Sequence, residues 1–151
     1  MSLRKEIEEL LYSIDKENTL EKIKGIEDNI KLHILASNYN WNNGFEIPTA
    51  ILNNKNCDKA TALVLFFDAD GIRVLEDIKE VENSELIEWS NFIISLYKRI
   101  NDDDFNSEVI KFIPNLSKVQ IFRIKKKNPN INKSFILESG EKYIDNISSL
   151  L

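Results

Sequence analysis

Two carboxylates separated by one residue and followed by glycine, Asp68-Ala69-Asp70-Gly71, are the first place where this chain could do chemistry. The spacing suggests a calcium loop. With Gly71 at the sixth position of such a loop, however, the first ligand position falls on Phe66 and the twelfth on Asp77. Phenylalanine offers no oxygen, and the bidentate glutamate that closes such a loop is missing. A helix end followed by a glycine turn explains the same residues. What is left is a carboxylate pair for glycoside or phosphoester hydrolysis, with the loop around Trp41 as its pocket. No glycine-rich phosphate loop, dinucleotide fingerprint or serine elbow accompanies the pair.

His33 is the only histidine and Cys57 the only cysteine. A hydrolase triad or a two-histidine metal centre therefore lacks its partners, and neither a metal nor a cofactor is expected. A packed imidazole and a half-buried thiol at a helix entrance are the simpler accounts of both. A single cysteine also excludes an internal disulfide and fits a reducing compartment, the cytoplasm. Residues 1–11 are charged and amphipathic, unlike a signal peptide, and the longest apolar run, 62–67, is too short to span a bilayer.

The remaining candidates are surfaces. Trp41 lies in the polar loop Asn40-Trp41-Asn42-Asn43-Gly44. It is either a recognition anchor, as exposed tryptophans often are, or a staple folded over its neighbours. Asp102-Asp103-Asp104 is a run of three carboxylates, and Arg123-Ile124-Lys125-Lys126-Lys127 is its basic counterpart. The net charge of −5 is spread unevenly, with residues 1–60 at −2, 61–110 at −8 and 111–151 at +5. Several phosphate contacts are needed for nucleic-acid binding, and the acidic stretch would oppose them. Nucleic acid is therefore not the expected partner, nor is a membrane. Another protein is.

The elements that must position these residues read as helices. Leu3, Ile7, Leu10, Leu11 and Ile14 fall on one helical face. Asn18 or Thr19 caps a second helix ending near Gly25, and a third starts around Asp28. Pro48 suits the first turn of a fourth. Asp58 caps a fifth, 59–67, which is apolar nearly all round and so central. Residues 72–81 form a short extended or helical connector. Ser84 caps the longest helix, with Leu86, Ile87, Phe92, Ile93, Leu96 and Ile100 on its inner side. Ser107 and Ser117 cap two more helices on either side of Pro114, and residues 141–150 close the chain as a helix. Residues 119–124 alternate apolar and polar, so the rival reading there is a strand paired with 134–137 in a small hairpin near 119–137.

The segment 33–75 carries Ala36, Asn40-Trp41-Asn42-Asn43-Gly44-Phe45-Glu46-Ile47-Pro48, Cys57-Asp58, Thr61-Ala62-Leu63, Phe66 and Ala69-Asp70-Gly71. It resembles the bacterial family known as domain of unknown function 4274. The resemblance implies short helices broken by Asn-rich turns, similar to HEAT-type or leucine-rich-variant helical repeats, and brings no catalytic assignment. That family often places an acidic residue where this chain has Asn42 or Asn43, so a cation site in the loop is not expected.

Together these readings predict a mainly α-helical single domain of short stacked helices, repeat-like in character. The expected role is a cytoplasmic protein-interaction or scaffold module rather than an enzyme. Its expected contact residues are Trp41, Asn42, Asn43, Gly44, Asp68, Asp70, Asp102, Asp103 and Asp104. An immunity-type protein neutralising a basic toxin is one alternative, and an enzyme using Asp68 and Asp70 is another. The oligomeric state is left open.

Overall fold

The computed structural model describes residues 2–144. Among them are nine α-helices: α1 (Leu3–Tyr12), α2 (Lys16–Lys24), α3 (Asn29–Ser37), α4 (Glu46–Asn53), α5 (Lys59–Asp68), α6 (Ile72–Glu76), α7 (Ile78–Glu82), α8 (Ile87–Asn101) and α9 (Lys118–Lys127). The fold is mainly helical, and β-pairing among the described residues is limited to isolated bridges.

Helix α5 is central because it can be buried on every side. Ala60, Ala62, Leu63, Leu65 and Phe66 are all enclosed, with α3 and α4 packed along it and α8 across it. Helix α1 covers α3, α2 lies along α4, and α9 rests on α6. Phe66 sits at the heart of this packing, its ring 5.0 Å from that of Phe135. The turn after α5 brings the Gly71 backbone against it. A Cβ on Gly71 would lie 2.4 Å from the Phe66 carbonyl oxygen.

The starts of the helices that form follow the expected chemistry, with two exceptions, at α2 and α8. Asp28, Asp58 and Ser117 cap α3, α5 and α9 by accepting from the backbone N–H of Ile30, Ala60 and Gln120. Helix α2 begins earlier than expected. Asp15 is its cap, accepting from Asn18 N–H, while Thr19 is buried within the helix. A carboxylate is the better first-turn acceptor because it also meets the positive end of the helix dipole. The connector at 72–81 is helical, split by Asp77, whose carboxylate caps α7. Ser84 does not cap α8. Its hydroxyl accepts from Leu86 N–H, and Leu86 is the capping residue. Leu86 and Ile87, expected inside, are exposed.

The hairpin near 119–137 is not formed. The Ser117 hydroxyl accepts from Gln120 N–H at 3.1 Å, and the Gln120 side-chain Oε1 accepts from Ser117 N–H at 2.8 Å. This reciprocal capping box starts a helix, and it outweighs a short alternating pattern. Residues 133–135 form a 3-10 turn instead of a partner strand. Two of the bridges that do occur join the segments on either side of α9, Phe112 with Ser139 and Ile110 with Lys142, and a third joins Asp58 to Ser107. Gly140, at φ +74°, lets the two segments close, since a Cβ there would sit 1.9 Å from the Ile110 oxygen. The helix expected after Ser107 is absent, because residues 107–112 are drawn out to meet α5. Of the expected closing helix, 141–144 are not helical and 145–151 lie outside the described residues.

Candidate functional site

Residues that look unrelated in sequence converge at the N-terminus of α5. Asp58 is fully buried and its carboxylate is saturated. Oδ1 accepts from Ala60 N–H at 3.0 Å. Oδ2 accepts from the Ser107 hydroxyl at 2.5 Å and from Val109 N–H at 2.8 Å, and Ile110 N–H reaches both oxygens at 3.4 Å. Burying a charge is costly unless it is hydrogen-bonded in this way. The one carboxylate thus caps a helix and anchors the extended segment some fifty residues later.

His33 reaches this region from α3. It is buried, and its Nδ1 lies 2.9 Å from the Thr61 hydroxyl. Burial lowers the imidazole pKa to about 4, against the opposing pull of the Asp58 charge. Cys57 is buried beside them, and desolvation pushes its thiol up to about 12. A serine, a histidine and an aspartate are therefore close, but their contacts run in the wrong order for a nucleophile. Ser107 donates directly to Asp58, and His33 is engaged with Thr61. A triad needs the histidine between the other two.

Next along the chain, Lys59 is 3% exposed. Its ammonium pairs with Asp103, with Glu108 at 3.8 Å. Asp103 reaches it by adopting φ +53° after the end of α8. Hydrogen bonds from Lys59 and Asn132 hold the Asp103 carboxyl below its usual range. The acidic run 102–104 is accordingly divided: Asp103 is the counter-ion of a buried lysine, Asp104 lies 3.7 Å from Arg99, and Asp102 is exposed at the helix end. Arg99 also donates to the Leu52 carbonyl at 2.5 Å and lies over the Phe105 ring.

Trp41 opens a 3-10 turn, Trp41–Asn43, and is folded inward. Its indole is surrounded by Tyr39, Phe45 and Phe92 at centroid distances of 5.2, 6.1 and 5.9 Å. Gly44, at φ +88°, turns the chain so that its carbonyl accepts from the Tyr39 hydroxyl at 2.6 Å. Asn42 and Asn43 remain exposed. The Trp41 Nε1–H is buried without an acceptor, so the indole contributes ring area and no hydrogen bond. Trp41→Phe is expected to cost less than about 1 kcal/mol, and Trp41→Ala about 3 kcal/mol, in thermal melts. Equal losses would show that the N–H matters more than the packing.

Asp68 and Asp70 end α5 on the exposed side, Asp70 at φ +64°. Partial desolvation raises the Asp68 carboxyl. No hydrogen bond or ion pair links either carboxylate to the Trp41 loop, and Trp89 Nε1–H occupies the intervening Ala69 carbonyl at 2.7 Å. The cleft between α2 and α4, about 920 Å³, is lined by Glu17, Glu21, Glu46 and Asn54 among others, and contains neither residue. Among the described residues no group of His, Cys, Asp and Glu is placed to hold a metal ion, and no helix is long and apolar enough to cross a membrane.

Residues 27–101 match the model of a family described as a domain of unknown function, DUF4274. The chain belongs to the DUF4274 family. The DUF4274 segment takes in α3 to α8, and with them His33, the Trp41 nest, Asp58 and the Asp68-Asp70 turn. The residues that saturate Asp58 from beyond α8, namely Ser107, Val109 and Ile110, lie outside the match, as does α9. No curated protein and no solved structure matches the chain.

Sequence reasoning found Asp58 as a helix cap and missed its larger role. Nothing at position 58 signals a partner at 107–110. The buried charge of Lys59 was also missed, as was the outward turn of Leu86 and Ile87. For the last two a signal existed, since Glu82, Glu85 and Glu88 surround them in the sequence.

Proposed function

We propose that this chain is a protein-interaction module with no catalytic activity of its own, and that it docks its partner on the acidic shoulder at the start of α8. One observation carries the reading. Leu86 and Ile87 are adjacent and 63% and 68% exposed, in the most acidic stretch of the chain. The exposed side chains of Glu82, Glu85 and Glu88 frame them. An apolar pair left in water gains about 1.5–3 kcal/mol per side chain when a partner covers it. The carboxylate rim favours a basic partner and speeds its approach.

The state of the reactive groups supports the same reading. His33, Cys57, Asp58 and Lys59 are buried, and the His33 Nδ1, the Cys57 thiol, the Asp58 carboxylate and the Lys59 ammonium are engaged within the fold. A lone enclosed thiol suits a reducing compartment such as the cytoplasm. A basic toxin held by an immunity-type protein is one partner of the required chemistry.

The test is a photo-crosslinking residue at position 87 in producing cells, with the products identified by mass spectrometry. One dominant product with a basic contact surface is expected, and it should fade when Glu82, Glu85 and Glu88 are changed to lysine. Labelling scattered over abundant proteins would overturn the proposal.

A further inference from the structure

Helix α9 carries the counterpart of that shoulder. Val119 and Phe122 are one turn apart and 59% and 67% exposed. Helical spacing places Lys118, Lys125 and Lys126 around them, all exposed. The helix is held to the body only by its other side. Ile124 is buried, Lys127 donates to the Glu76 carbonyl and Asn128 to the Leu75 carbonyl, each at 2.8 Å. Both outward features are therefore mounted on the same support, since α6 packs against α9 and also against α8.

Among the exposed apolar side chains of the described residues, these two pairs are flanked by opposite charge, one by three carboxylates and the other by three ammonium groups. We infer that the partner is a second copy of this chain, the α9 stripe of each copy seated on the α8 shoulder of the other. The inference rests on the shoulder being a protein-docking surface. In a two-fold pair each patch is used once per chain, so the contact forms twice. Doubling matters because a specific interface buries roughly 1,200 Å² or more, and using both contacts doubles the surface covered. A phosphate backbone is a poorer match for the stripe. It offers nothing apolar to cover Val119 and Phe122, whereas the shoulder offers Leu86 and Ile87.

The experiment is light scattering on the full chain across a dilution series, at low and high salt. Stripe reversal (K118E, K125E, K126E) is compared with shoulder reversal (E82K, E85K, E88K), and circular dichroism confirms that each variant is folded. The wild-type chain is expected at twice the monomer mass, shifting towards monomer in high salt. Each reversed variant alone should be monomeric. An equal mixture of the two should recover the doubled mass, because opposite charges then meet at both contacts. Phe122→Ser should also give monomer without altering a charge. A wild-type chain that is monomeric throughout, a dimer indifferent to either reversal, or a mixture that stays monomeric would each overturn the inference. The crosslinker at position 87 separates the two proposals. Attachment to α9 of a second copy supports both. Attachment to one different protein ends the self-association and leaves the docking surface standing.

Discussion

Asp58→Ala is expected to lower the unfolding free energy by about 4 kcal/mol, a large share of the 5–15 kcal/mol typical of a domain. The loss has two origins. Helix α5 loses its cap, worth about 1 kcal/mol. The Ser107 hydroxyl and the N–H groups of Val109 and Ile110 lose the oxygens that accept from them. Each buried donor left unpaired costs about 1–3 kcal/mol, reduced where water can enter. Asp58→Asn should fall between, since its amide oxygen can still cap α5 while its NH₂ faces other donors. Urea denaturation measures the loss. Hydrogen exchange shows its location, with the amides of Val109 and Ile110 expected to lose protection ahead of α5. A change within about 1 kcal/mol for Asp58→Ala would mean that the extended segment is held by something else.

The second large effect is set by pH. Burial lowers the His33 pKa to about 4 from an ordinary value of 6.5, with the Asp58 charge opposing the shift. The unfolded chain therefore binds the proton more readily than the folded one. Stability is complete above pH 6.5 and is lost as the pH falls from 6.5 towards 4. At about 1.4 kcal/mol per unit, the loss reaches about 2 kcal/mol by pH 5, before most carboxylates titrate. His33→Gln keeps a polar group facing Thr61 and has no such proton to gain. Urea midpoints for the two proteins should therefore converge as the pH drops through this window. Parallel curves would show that His33 is not the group responsible.

The parts of the fold that were legible depend on local chemistry. Residues 59–67 announce a buried helix because every face is apolar and an aspartate precedes them, and both features act within one turn. The start of α9 was legible for the same reason. The rest was hidden because distant residues decide it. Ser107 reads as a helix cap, but its hydroxyl goes to Asp58 and the helix does not form. Leu86 and Ile87 read as inner residues by periodicity. Trp89 and Ser90, tied to the Ala69 and Val81 carbonyls, fix the seating of α8 and leave the two outside. Asp103 reads as one charge of a loop, and only the fold brings it to Lys59. Of the surface residues expected from sequence, Asn42, Asn43, Asp68, Asp70, Asp102, Asp103 and Asp104 are exposed, though Asp103 is committed to Lys59, while Trp41 is taken into the aromatic nest.

The Asp58 carboxylate has a consequence for how this chain can change. Resemblance draws a border at Asn101, but energy does not follow it. A desolvated charge inside the family segment is balanced by donors that the family segment does not encode. Drift at Ser107 is therefore constrained by a residue fifty positions earlier, and a relative that replaced residues 107–110 would have to answer the same buried charge with new donors or give up the aspartate. Residues 107–110 lie outside the family match and are nonetheless part of the same thermodynamic unit.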